Sequence, residues 1–218
     1  MEDLTIEQLI SLFSQSRLNT YIRSHATADR VLHAYHMNIK LSEAMVPALH
    51  YFEILLRNGI DKIFRTYYGQ NWLLAIPQSL ILSEQDVQKI QKMIDRITIE
   101  KRSSPVQDDI LAQMSFGFWC SFFHKRYDPI LWHRKDAIKT VFPYLNKSHR
   151  TRIYIEQKVV KIKILRNRIA HLEPIWNNSK SSIFDIYKMA IELIGAMSPC
   201  AIAMLEKLDR FPAVYAEI

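Results

Sequence analysis

The chain has 218 residues, 49% of them apolar and 23% charged, enough to bury one large core and too apolar for a disordered polymer. Its 29 basic and 22 acidic side chains leave a formal charge of +7, which suits a phosphate-bearing partner without singling one out. Two cysteines, Cys120 and Cys200, sit in apolar runs and read as buried free thiols of a reducing compartment, against a disulfide-stapled scaffold.

Only 4 glycines leave little material for tight hairpin turns, and the wealth of Leu, Ile, Lys, Arg, Glu and Gln favours helices. The spacing predicts a first short helix over Thr5 to Phe13 and a second short helix or a turn over Ser16 to Arg23. Val31, Tyr35, Asn38 and Leu41 recur at helical intervals, predicting a helix from Ala28 to about Leu41. Ser42 is read as the cap of a new helix that holds Pro47 in its first turns and continues through Phe52, Leu56 and Ile63. A break follows over Tyr67 to Trp72, prolonged by Pro77. The next helix is predicted from Ser83 to about Glu100, and Lys101 to Pro105 is an inter-helix loop. A helix from Ser104 or Pro105 to Phe123, a polar and aromatic loop from Tyr127 to Lys135, and a short helix from Asp136 to Val141 come next. A long basic helix is expected from Ser148 to Leu172, stopped by Pro174. Ser181 to Met197 and Ser198 to Leu208 complete the set. No repeat or hairpin signal occurs, so the expected architecture is all-α, a single-domain helical bundle with its core over about 15–205.

The start, Met1-Glu2-Asp3, lacks a signal-peptide pattern, and the most apolar stretch, Met189 to Leu205, is interrupted by Glu192 and Pro199. A soluble, cytoplasmic protein without a membrane partner is the expectation. His25, His33, His36, His50, His124, His133 and His149 show no metal-ligand spacing, and neither CxxC nor HExxH occurs. No metal and no other cofactor is expected.

The most informative segment is Arg166-Asn167-Arg168-Ile169-Ala170-His171. It sets a cation, an amide and an imidazole within roughly a turn and a half of helix, a group able to cleave RNA. Arg166 falls inside the apolar stripe of Ile155, Val159, Ile162, Leu165, Ile169 and Leu172, whereas Asn167 and His171 share the adjacent polar face. Glu53 interrupts the stripe of Leu49, Phe52, Leu56 and Ile60 in the same manner. If the two helices pack together, Glu53 pairs with Arg166 or Arg57. Arg166 therefore has two readings, a structural ion partner and a phosphate ligand. Lys158, Lys161, Lys163 and Arg168, with Arg150 and Arg152, make the helix basic, either as a solvated face or as an RNA track.

The blocks Tyr35-His36-Met37-Asn38, Leu41-Ser42-Glu43-Ala44, Glu53 and Leu56-Arg57-Asn58 resemble the N-terminal half of the Abi-like (abortive infection) family. Leu165 to His171 followed by Glu173-Pro174-Ile175 is similar to that family's C-terminal signature. Gly69-Gln70-Asn71-Trp72 and Phe116-Gly117-Phe118-Trp119 lie between them in the order that family shows. Met37 stands where that pattern carries Trp, and Leu172 where a second His commonly follows.

The resemblance implies a HEPN-type helical fold with Arg166, Asn167 and His171 as catalytic residues and Glu53, Arg57 and Asn58 supporting them. It also implies a phage-defence or toxin role, a homodimer with the motif at its interface, and an antitoxin or defence-system partner. The expected activity is metal-independent endoribonuclease cleavage by 2′-OH attack, leaving a 2′,3′-cyclic phosphate. A non-catalytic or trigger-dependent RNA-binding protein and a helical homodimeric scaffold stand as alternatives.

Overall fold

A computed structural model describes residues 4–75, 81–134, 136–175 and 182–217. The expectations that rest on Met1 to Asp3, Pro77, Lys135 and Ser181 lie outside the described residues. Among those residues the secondary structure is helical, with no strand, and forms one helical domain.

Thr5 and Gln8 open the first helix, α1 (Ile6–Phe13), as a capping box: Thr5 Oγ1 accepts from the Gln8 amide at 3.2 Å and Gln8 Oε1 from the Thr5 amide at 2.8 Å. Helix α2 (Gln15–Ile22) folds back beside it. Leu9, Leu18 and Tyr21 then bury themselves against Val31 and Ala34, forming a small apolar cluster at the start of the third helix.

That third helix corrects the expected division at Leu41 and Ser42. Residues Ala28–Tyr68 form one helix, α3, of 41 residues, with Pro47 in its interior. Ser42 does not cap a new helix; its hydroxyl donates to the Asn38 carbonyl, 2.7 Å, one turn back. Pro47 removes one N–H, a loss that ends many helices. The helix continues because its buried stripe runs past the proline on both sides, through Leu41, Ala44, Met45, Ala48, Leu49 and Phe52. At roughly 1.5 Å per residue α3 is about 60 Å long, and it is the pole on which the other helices pack.

Gly69, at φ 92°, ends α3 in a backbone conformation that side-chain-bearing residues resist. Trp72 opens α4 (Trp72–Ala75), stacks on Phe64 at 4.2 Å and donates through Nε1 to Asp61 at 2.7 Å. Helix α5 (Glu84–Lys101) is capped by Ser83, as the spacing predicts. The single helix expected from Ser104 to Phe123 is instead two, α6 (Gln107–Gln113) and α7 (Phe116–Ser121). Met114 is extended, and Ser115 restarts the chain by accepting from the Phe118 amide at 3.3 Å. Helix α8 (Ala137–Val141) lies so close to α3 that a Cβ on Gly59 would stand 2.9 Å from Val141 Cγ1.

The motif helix, α9 (Arg152–Ala170), is shorter at both ends than expected. Residues 147–149 form a separate 3₁₀ turn, and Thr151 caps α9 by accepting from the Tyr154 amide at 3.2 Å. At the other end His171 is the cap residue and Leu172 takes φ 58°, which breaks the helix before Pro174 is reached and turns Leu172 out to solvent, off the apolar stripe expected of it. Helix α10 (Ile183–Met197), capped by Ser182, packs against both α3 and α9. Ser198 and Pro199 start α11 (Pro199–Leu205), and α12 (Phe211–Tyr215) returns to α3. The core lies where α3, α7, α9 and α10 meet, around Phe52, Leu56, Trp119, Ile162, Leu165 and Ile194. Cys120 is buried there as expected. Cys200 is exposed, because it occupies the first turn of α11 on the side away from the buried Ala201 and Leu205. No described helix is long and apolar enough to cross a membrane.

Candidate functional site

The packing of α9 against α3 sets Arg166 beside Glu53. Arg166 Nε lies 3.3 Å from Glu53 Oε2, with the two side chains 37% and 25% exposed. Of the two arginines that could have served, Arg166 is the partner. Arg57 donates to Asn58 Oδ1 at 3.4 Å, a turn farther along α3. The face of the Phe116 ring lies 5.8 Å from the Arg166 guanidinium carbon and closes the inner side of the pair. Phe116 itself meets Phe52 edge-on at 5.9 Å, so α7 supports both partners at once.

Arg166 reaches the surface in a cavity of about 260 Å³ between α3 and the end of α9, lined by Val46, His50, Glu53, Arg166, Ile169 and Ala170. Asn167 and His171 are exposed on the outer side of the same helix end. Neither lines the cavity; His171 follows Ala170, which does. Arg57 and Asn58 do not line it either.

The helix end that carries His171 is held from three directions. Arg17, on α2, donates through Nη1 to the carbonyl of Leu172 and to that of His171 at 3.5 Å. Asn38, buried in α3, accepts from the Ile175 amide at 2.7 Å and donates to the Glu173 carbonyl at 3.5 Å. Arg168 turns back onto the Pro174 carbonyl and stands 3.7 Å from the Glu173 carboxylate. The charges of Arg17 and Arg168 also reach Tyr21. Burial and the neighbouring Tyr35 push its phenol up to about 12, and the two arginines oppose them.

The basic residues of α9, and Arg150 just before it, divide by contact. Lys158 is 15% exposed, 2.7 Å from Glu192, and lies over the Tyr154 ring at 4.6 Å. Arg150 donates to the carbonyls of Leu145 and Pro143, and Arg152 joins Asp128 to Glu156. Lys161 and Lys163 are half-buried and make no ion pair among the described residues. The charge of Lys163 is nevertheless felt at Cys120. Burial, to which Glu53 adds, pushes the Cys120 thiol well above its usual range, and Lys163 and Arg166 pull the other way. Among the described residues no group of three or more His, Cys, Asp or Glu side chains is placed to hold a metal ion.

Two contributors escape sequence reasoning. Arg17 lies 154 positions from His171, and nothing in its own surroundings marks it. His50 shares the cavity with Arg166; its spacing of three from Glu53 on one helix was the available signal.

A family model described as Abi-like protein matches residues 5–177. Comparison with curated proteins and with solved structures returns no match.

Proposed function

Because the chain belongs to the Abi-like protein family, whose name points to abortive infection and defence, we propose that it is a metal-independent endoribonuclease of a phage-defence or toxin type. The observation that carries this reading is the half-exposed Arg166, oriented by Glu53 and backed by Phe116, one and a half turns from an exposed His171 on a clamped helix end.

RNA brings its own nucleophile, so the protein has to manage protons and charge. In the proposed step His171 takes the proton of the 2′-OH as the 2′-oxygen attacks phosphorus. The bond from phosphorus to the 5′-oxygen breaks, and that oxygen takes a proton from a second acid. A homodimer with the motif at its interface would supply that acid as the second copy's His171. Arg166 stabilises the charge that grows on the phosphoryl oxygens, and Asn167 orients the imidazole or a phosphate oxygen. The products are a 2′,3′-cyclic phosphate and a free 5′-hydroxyl. RNA is the partner, with Lys161 and Lys163 beside its path, and an antitoxin or defence-system component would restrain the activity in the cytoplasm.

One observation favours a second reading, a trigger-dependent RNA binder. Arg166 is tied to Glu53 and Arg168 to the Pro174 carbonyl, so a phosphate must compete with partners already in place. The test is purified wild type and His171→Ala incubated with total RNA in excess EDTA, followed by analysis of fragment ends. Cyclic-phosphate ends produced by the wild type and lost in the variant are expected. Tight RNA binding without cleavage would leave the second reading, and neither binding nor cleavage would sink both.

A further inference from the structure

Next to the cavity at Arg166 lies another of about 380 Å³, between α3 and α11, and His50 belongs to both. Tyr51 and Leu55 form its α3 wall, Ala201 and Met204 its α11 wall, and the exposed Cys200 its rim. Its volume falls in the range of small-molecule pockets, roughly 300–1,000 Å³.

We propose that this second cavity is a ribonucleobase subsite, holding the base of a nucleotide whose phosphate lies against Arg166. The inference rests on the ribonucleic-acid reading above and deepens it. From one cavity to the next the lining passes from Arg166, paired with Glu53, through the shared His50 imidazole to the apolar walls of the second. A nucleotide has the same order, from anionic phosphate through a polar sugar to a flat base with apolar faces. The α3–α11 cavity carries no cation of its own to hold a phosphate. It offers instead an aromatic ring at Tyr51, an imidazole, and the polarizable Met204, surfaces on which any base can stack. Polar groups are few: the His50 ring, the Tyr51 hydroxyl, the Cys200 thiol, and a Ser198 hydroxyl that already accepts from the Ala201 amide at 3.3 Å. That composition fits stacking with little base selectivity.

The exposed Cys200 gives a direct reading of occupancy, since the other thiol, Cys120, is buried and its ionisation is suppressed by that burial. The full-length protein is alkylated with iodoacetamide, and modification of Cys200 is followed by mass spectrometry. The probe is a short oligoadenylate, 2′-O-methylated throughout so that 2′-OH attack is impossible; inorganic tripolyphosphate is the charge control. The oligoadenylate is expected to slow Cys200 alkylation about tenfold at saturation, and tripolyphosphate to leave it unchanged. Met204→Trp, at a 53% exposed position, fills the cavity from its rim and raises the oligoadenylate concentration needed for protection about tenfold. Equal protection by both anions, or no protection by an oligoadenylate that binds the protein, overturns the subsite. Slow alkylation that depends on protein concentration without nucleotide would place a second copy there and also overturn it. The readout needs no cleavage: protection without ribonuclease activity sinks the enzyme reading alone, whereas cleavage without protection sinks only the subsite.

Discussion

The guanidinium of Arg166 stands 3.3 Å from the carboxylate of Glu53, joining the C-terminal third of α9 to the middle of α3. Both side chains keep part of their surface in water, so the ion pair leaves the guanidinium open to a ligand. A fully buried pair would hold the cation away from any ligand. A pair this exposed is a weak restraint, about 0.2–1 kcal/mol, which aims the guanidinium without confining it. Glu53→Ala and Arg166→Ala should therefore each lower stability by about 1 kcal/mol, with a coupling no larger than that in a double-mutant cycle. Cleavage should fall at least about a hundredfold in Arg166→Ala and much less in Glu53→Ala. Denaturant melts and single-turnover cleavage measure the two quantities separately.

His171 is exposed and caps α9 through its backbone alone, its amide reaching the Asn167 carbonyl at 2.9 Å. His171→Ala should melt with the wild type and lose about 10²- to 10⁴-fold in cleavage rate, the usual contribution of a positioned proton-transfer group. Loss of both fold and activity together would make the residue structural.

Arg17 holds the carbonyls of His171 and Leu172, and if the proposed cleavage is correct it is a positioning residue. In Arg17→Ala the amides of residues 171–173 should exchange faster with solvent, and cleavage should slow while RNA affinity stays within about threefold. Arg17→Lys should recover part of the rate. A uniform loss of exchange protection across α1 and α2 instead would make Arg17 no more than a brace for the N-terminal cluster.

Asn38 is 4% exposed and serves both the Ile175 amide and the Glu173 carbonyl. Asn38→Ala leaves the buried Ile175 amide without its partner and should destabilise the protein by about 1–3 kcal/mol. Asn38→Asp keeps the acceptor for Ile175 but faces the Glu173 carbonyl with a second acceptor, so it should rescue only in part. Urea midpoints distinguish the three proteins.

Lys158 and Glu192 form the pair that fixes α9 to α10. Burial opposes both charges, but each partner and the Tyr154 hydroxyl outweigh it, holding Glu192 below its ordinary 4.5 and Lys158 above its ordinary 10.5. A depressed carboxylate contributes stability above its unfolded pKa and loses it as pH falls through the folded one. A raised ammonium contributes below its unfolded pKa and loses it as pH rises through the folded one. Glu192→Gln should therefore cost about 1 kcal/mol at neutral pH, and that cost should disappear as the pH falls through the depressed pKa of the folded carboxylate. A loss independent of pH would mean packing, not charge.

Much of the fold was written in local sequence. Thr5 with Gln8, Ser83 with Asp86 and Ser182 with Asp185 are caps whose partners lie three residues away, and such signals survive folding. The boundaries misread were those where distant packing overrode a local sign. Ser42 and Pro47 look like a helix start, yet the buried stripe from Leu41 to Phe52 keeps α3 continuous. Cys200 sits in an apolar run but faces outward, because α11 buries Ala201 and Leu205 instead.

By itself the sequence determined the helical class, the Arg166-Asn167 and His171 spacing, and that Glu53 needed a cation, since these follow from composition and periodicity along single helices. Only the tertiary structure decided that the cation is Arg166 and not Arg57, that Lys158 spends its charge on Glu192, and that Arg17, Asn38 and His50 belong to the site. Each of those pairings joins residues on separate helices, and one-dimensional spacing carries no record of which helix faces meet.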